Sequence, residues 1–264
     1  ETMIDDTPMT FGAYAPQNFD KLYLGTIRMR EALQLSRNIP VVALTEALGP
    51  AKLISAMEKA GMQPVFPGDQ PGLAIALGGV GVTLSDMVQL YAAIARGGVA
   101  RPLSWRLDDA GADGHRVISS VAAWEVGDIL AGLAPPPGAP SSRLAYKTGT
   151  SYGHREAWAI GFDGTHVVGV WMGRADGTPV PGIFGAELAA PVMFAAFERT
   201  APRITPLPPP PPATLIVAGS ALPQPLQRFG GVVVAATGPA IAFPPDGAML
   251  LADTPPTCEK LPAT

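Results

Sequence analysis

An Asp163-Gly164 pair set between two apolar runs, residues 157–162 and 166–172, narrows the folds open to this chain more than any other feature. Asp-Gly between alternating or apolar runs is a hairpin signal, so the two runs are expected to pair antiparallel. Just upstream, residues 143–147 alternate in the β period and lead into Lys147-Thr148-Gly149-Thr150, which places a further strand beside the hairpin. The surrounding patterns are helical. Residues 83–96 open on Thr83-x-x-Asp86 and stop at Gly97-Gly98, and residues 120–130 are amphipathic. Residues 26–35 and 40–48 read as two helices, the second with Pro40 in its first turn and Gly49-Pro50 as its stop. A closing helix spans 187–199, started or bent at Pro191, and the glycine-rich run 72–82 reads as a packed loop or strand. The fold class that results is α+β, an antiparallel sheet flanked by helices.

Composition excludes several functions. Hydrophobic residues make up 47% and charged residues 15% of the chain, well under the roughly 25% charged of a typical soluble domain. No run reaches the roughly 18 apolar residues that cross a bilayer, so no membrane segment is expected within these residues. A net charge of −4 without a basic block argues against nucleic acid as a partner. Cys258 stands alone, and His115, His154 and His166 lack paired ligand spacing, so neither a metal nor a cofactor is expected. Five consecutive prolines, Pro208 to Pro212, cannot enter a helix or a central strand. Residues 201–213 are therefore expected to be an extended linker of about 3.1 Å per residue, separating a domain over 1–200 from a partial β-rich module over 214–264.

Two short motifs hold the chemistry. Lys147, Thr148 and Thr150 put a cation and two hydroxyls at one strand end, and Gly149 leaves room for a ligand to lie along that strand. Ser36-Arg37-Asn38 occupies the corner between two helices. Serine and asparagine at such a corner ordinarily cap orphan amides, and that reading stands beside one in which the corner is the second wall of a cleft.

Tyr14-Ala-Pro-Gln-Asn18-Phe-Asp20, the run from Arg30 to Pro40 containing Ser36-Arg37-Asn38, and the run from Lys147 to Trp158 together resemble the transpeptidase domain of class A penicillin-binding proteins. The last of these is most similar to the 1C type. The resemblance covers residues 1 to 200, and residues 214–264 resemble the start of the C-terminal module of 1C-type proteins. It implies a D,D-transpeptidase fold and cross-linking of peptidoglycan stem peptides through an acyl-serine. Covalent inhibition of the intact protein by β-lactams and a place on the periplasmic side of the inner membrane are implied with it. The matching positions take the family's roles: Lys147 and Ser36 for carboxylate attraction and proton relay, Asn38 for the amide of the acyl-side peptide. Thr148 and Thr150 would hold the terminal carboxylate, and the Thr150 N–H would be one oxyanion donor.

One departure bears on activity. The family's nucleophile lies in Ser-x-x-Lys, one helical turn from its base, and no serine here is followed by lysine at that spacing. The chain is expected to be a fragment lacking the nucleophile helix, the first sheet strands and an upstream glycosyltransferase domain. A non-catalytic peptidoglycan-binding or scaffolding piece is the alternative. A β-lactamase-related hydrolase is less favoured, because the signature around Asn18 speaks against it. If the two motifs are walls of one cleft, the Ser36 hydroxyl should lie within hydrogen-bond reach of Lys147. The Asn38 amide should enter the same groove, and Thr148 and Thr150 should share a face. Incubated with a penicillin, this chain should show no mass increase by intact-mass spectrometry; an acyl adduct on Ser36 would contradict the reasoning.

Overall fold

The computed structural model describes residues 2–227, apart from 67, 69, 70, 107, 109–112, 141, 142 and 202. The strands expected beyond residue 230 lie outside the described residues. Strand β1 (Met3–Asp6) pairs antiparallel with β2 (Gly25–Arg28), and the chain enters α1 (Met29–Gln34) directly from β2. Residues 26–28 are thus strand, where the sequence pattern suggested helix. Ile27 sits opposite Ile4 and is buried, so pairing with a strand more than 20 residues away overrides the local helical spacing. The helix begins where the Arg28 N–H donates to the Glu31 carboxylate at 2.9 Å, half of a capping box.

Helices α2 (Asn38–Leu48) and α3 (Pro50–Lys59) follow, then a 3-10 turn (Leu73–Leu77) and α4 (Leu84–Ala95). The α4 start is the expected box: Thr83 Oγ1 accepts from the Asp86 N–H at 3.1 Å, and Asp86 accepts from the Thr83 N–H at 3.0 Å. A two-residue pair, β3 (Val99–Ala100) with β4 (His115–Arg116), precedes α5 (Ser120–Leu130). Among the described residues no single helix is long and apolar enough to cross a membrane.

The central sheet is β5 (Ala145–Thr150), β6 (Glu156–Phe162) and β7 (Val167–Gly173), antiparallel in that order. Phe162 pairs with Val167, which leaves residues 163–166 as the hairpin loop. Buried Asp163 closes that loop, its carboxylate accepting from the backbone N–H groups of Thr165 (2.8 Å) and His166 (2.6 Å). Alternation along the strands sends side chains to two cores. Leu144, Tyr146, Ala157 and Ala159 pack against Met193, Phe194 and Phe197 of α6 (Ala190–Thr200). On the other face Ala145 and Phe162 pack with Leu130 and Ala131 at the end of α5, beside Leu33, Tyr91 and Ile94. A π-helical turn (Gly185–Ala189) leads into α6 with Pro191 in its first turn, so the α-helical part of the closing segment starts there.

The proline-rich segment is not a free spacer. Leu207 packs against the second core, and the Trp124 indole donates to the Pro208 carbonyl at 3.1 Å. Thr205 is bonded twice to the hairpin loop, its N–H donating to the Asp163 carboxylate at 3.0 Å and its carbonyl accepting from the Gly164 N–H at 2.9 Å. Glycine at 164 makes this approach possible, because a Cβ there would lie 2.3 Å from the Pro206 carbonyl. The compact unit accordingly runs to Val217. Phe197 is fully buried in the first core, so Phe197→Ala should cost about 3–5 kcal/mol, read as a lowered urea midpoint.

Candidate active site

Ser36 stands where α1 ends. Its φ is +54°, its N–H donates to the Leu33 carbonyl at 3.2 Å, and the Arg37 N–H donates to the Ala32 carbonyl at 2.9 Å. These are the paired bonds of a Schellman stop, with serine in the left-handed position that glycine usually takes. The conformation costs of order 1–3 kcal/mol and persists because both flanks are fastened. On the α1 side, Arg30 pairs with Asp128 of α5 at 2.8 Å, and Gln34 donates to the Ile129 carbonyl at 2.8 Å.

On the other flank lies a buried polar cluster. The Arg37 side chain is 7% exposed and Asp6 fully buried; Arg37 Nε meets Asp6 Oδ2 at 2.8 Å and Nη1 meets Asp20 Oδ2 at 2.7 Å. Arg37 Nη2 also donates to the Leu22 carbonyl. Together Asp20 and Asp6 hold the guanidinium pKa above its usual value although burial works the other way. Asn18, 2% exposed, donates to Asp6 Oδ1 at 2.6 Å. Its Oδ1 accepts from the backbone N–H groups of Asn38 (2.8 Å) and Ile39 (3.3 Å). The cap of α2 is therefore supplied by Asn18, from 20 residues upstream, and neither Ser36 nor Asn38 spends its side chain as a cap. The Asn38 Nδ2 donates to the Gln17 carbonyl at 2.8 Å, so its amide faces the Asn18 segment and is only partly available to a groove. The expectation was an amide entering the groove; the backbone of residues 17–18, lying across the start of α2, takes one of its donors.

The second wall is β5. The Lys147 ammonium donates to the Ser36 hydroxyl and, at 2.9 Å, to the Thr148 carbonyl. Burial, with no carboxylate paired to it among the described residues, pushes the Lys147 pKa down to about 8. Lys147 and Gly149 lie on the sheet face of α1 and α5, while Tyr146, Thr148 and Thr150 lie on the face of α6. The two threonines share a face as expected, and the lysine reaches round from the opposite one. Thr150 Oγ1 accepts from the Gly185 N–H at 3.1 Å, which leaves its own proton to donate. Gly185 fits only as glycine, since a Cβ would sit 2.4 Å from the Gly149 carbonyl.

Among the described residues no strand pairs with the outer edge of β5. The Ser151 N–H bonds the Glu156 carbonyl at 3.1 Å, so in the alternating antiparallel ladder Lys147 and Gly149 bond inward to β6. Thr148 and Thr150 then direct their backbone groups to the open edge. An added Cβ on Gly149 would meet only the Trp158 Cβ, at 3.5 Å, so the protein itself does not require glycine there. At the far end of the strand Phe19 and Phe184 meet His154 edge to face, with ring centroids 5.9 and 4.8 Å from it. His154 is a loop residue with φ +55°.

The structure thus joins Ser36 to Lys147 at one point, puts Thr148, Gly149 and Thr150 along the adjoining edge, and turns the Asn38 side chain to the Gln17 carbonyl. Sequence reasoning did not assign Asp6, Asp20 or Gly185 to the site. It had Arg37 only as the unspecified middle of Ser-x-Asn, and Asn18 and Asp20 only as parts of a signature.

Three comparisons bear on this geometry. The family described as penicillin binding protein transpeptidase domain matches residues 1–177. Penicillin-binding protein 1C of Escherichia coli (strain K12) is 43% identical over 197 residues, 73% of this chain and 26% of that protein. Penicillin-binding protein 1B of the same organism is 30% identical over 233 residues, 78% of this chain and 26% of its own length. The chain therefore spans about a quarter of the curated relatives it matches. A solved structure of the PonA1 protein from Mycobacterium tuberculosis in complex with penicillin V shares the fold, with TM-score 0.61 and 21% identity over 79% of this chain and 69% of that one. Penicillin-binding protein 1A from Haemophilus influenzae superimposes with TM-score 0.62 and 20% identity, covering 79% of this chain and 40% of that chain.

The depressed lysine carries a pH signature. Below pH 8 Lys147 is protonated in both folded and unfolded chains. Between about 8 and its ordinary 10.5 the unfolded chain still holds a proton that the folded one has released, so stability rises with pH across that window. Urea titrations at pH 7.5, 9 and 10.5 should show this rise, and Lys147→Met should remove Lys147's share of it.

Proposed function

Because this chain belongs to the penicillin binding protein transpeptidase domain family, as a class A member of the 1C type, we propose that it forms the carboxylate-binding and proton-relay side of a D,D-transpeptidase cleft. In the intact protein it would work beside a Ser-x-x-Lys serine and an upstream glycosyltransferase, on the periplasmic side of the inner membrane. The observation that carries the reading is the Lys147–Ser36 contact, made directly beside an open strand edge.

Each step can be assigned to a group. A stem peptide added to the β5 edge would find the outward backbone groups of Thr148 and Thr150. Its terminal carboxylate would meet the Lys147 charge and the hydroxyls of Thr148 and Thr150; the first hydroxyl has no partner among the described residues, and the second keeps its proton. Asn38 retains Oδ1 and one N–H for the amide of the acyl-side peptide. The attacking serine oxygen would form an ester with the donor carbonyl while the terminal D-amino acid leaves. A lysine near pKa 8, joined to a hydroxyl, can pass a proton through Ser36 to the departing amine and take one back when the acceptor amine attacks. The Thr150 N–H, facing the open edge, would stabilise the tetrahedral oxyanion.

Binding without turnover is the expected behaviour of this chain, since it has no serine with lysine three residues on. A stem peptide ending in a D,D-dipeptide should bind reversibly in an NMR titration, and amidation of its terminal carboxylate should weaken binding at least tenfold. Gly149→Ala should fold with near-normal stability but lose peptide binding, because its methyl would enter the space left for the ligand. Equal binding of the free and amidated peptides would refute the assignment.

A further inference from the structure

We propose that Arg37 and Asp6 are positioning residues of this cleft: their buried ion pair holds the Ser-x-Asn corner from behind and so keeps the Ser36 hydroxyl on Lys147. The inference rests on the reading of Ser36 and Lys147 as one site, and it gives a role to the residue that the pattern leaves unspecified.

The geometry is that of a chain strung between two anchors. Upstream of Ser36, α1 is tied to α5 through Arg30–Asp128 and Gln34–Ile129. Downstream, the very next residue places its guanidinium in a socket of three acceptors: Asp6, Asp20 and the Leu22 carbonyl. The same Asp6 accepts from Asn18 and from the Leu24 N–H at 3.0 Å, and Asn18 in turn caps α2 at Asn38. Two of the three acceptors of Arg37, Asp6 and the Leu22 carbonyl, also accept from Asn18, the residue that caps the helix starting at Asn38. With both ends held, the intervening residue is driven into its left-handed conformation, and its hydroxyl emerges toward β5.

A buried ion pair is a weak source of stability, because desolvation offsets most of the attraction and an apolar pair of similar volume serves as well. What it supplies here is direction. A planar guanidinium with donors in a fixed fork tolerates little rotation, whereas packed aliphatic side chains could let the corner turn. Since Arg37 and Ser36 share a peptide unit, rotation of one moves the hydroxyl of the other.

The test uses this chain with its lysines isotope-labelled and follows the Lys147 titration by NMR alongside urea unfolding. The double variant Asp6→Asn/Arg37→Gln removes the buried ion pair without leaving either member as an unpaired buried charge. The expected result is a rise of the Lys147 midpoint by one pH unit or more, as Ser36 swings away and water reaches the ammonium. Arg37→Lys, which keeps the charge without the fork, should move it in the same direction. A folded double variant with an unchanged midpoint would overturn the proposal even if its urea midpoint fell, because that outcome is a purely structural pair. Should the double variant not fold, Asp20→Asn decides: its side chain is 46% exposed, so folding is retained, and a smaller upward shift supports the proposal while none overturns it. The titration involves no peptide, so failure of peptide binding in the unmodified chain would count against the function without obscuring this result.

Discussion

The cleft depends on one chain reversal through a left-handed serine. Glycine would make that turn between α1 and α2 without strain, but glycine has no hydroxyl to give Lys147. The sequence keeps the side chain and accepts the backbone cost. Such a residue is stable only when its neighbours leave it no alternative, and here they do so by long-range bonds: Arg30 to Asp128 on one side, Arg37 to Asp6 on the other. Local preference at 36 is overruled by tertiary structure on both flanks.

The other wall depends on register. Lys147 and the two threonines leave opposite faces of β5, whose outer edge is unpaired among the described residues. A slip of one residue would send the lysine into the α6 core and bring Tyr146 toward Ser36. The pairing is pinned at its far end by the Asp163 loop, whose carboxylate gathers N–H groups from the loop and from Thr205 of the proline-rich segment. That segment is distant in sequence from the motif it helps to align, yet it fastens the hairpin against which β5 is measured.

The sheet, its hairpin and the two motifs were legible in the sequence because each is encoded by neighbours: alternation from 143 to 150, Asp163-Gly164, Thr83-x-x-Asp86, and the short spacing of Ser36 and Asn38. What was not legible is encoded by distance. Residues 26–28 look helical until Met3–Asp6 pairs with them. Asn18 reveals itself as the cap of α2 only when 20 residues of intervening chain are folded back, and Asp6 as Arg37's counter-ion only across 31. The docking of Leu207 and Pro208 on α5 was equally hidden, since five prolines specify an extended shape but not whether it stands free. The Asn38 amide bond to Gln17 follows from the path of a loop, which periodicity cannot describe.

The open side of β5 has a meaning beyond recognition. Thr148 and Thr150 offer outward N–H and C=O groups that distinguish poorly between a stem peptide and any other extended backbone, including a second copy of the same strand. A site that works by strand addition cannot cover this edge with a neighbouring strand without blocking itself. The protection available is what the strand already has: six residues of length, a half-buried cation at its middle, and a glycine that contributes no side-chain adhesion. The strand that carries Lys147-Thr148-Gly149 thus also keeps one edge unpaired among the described residues.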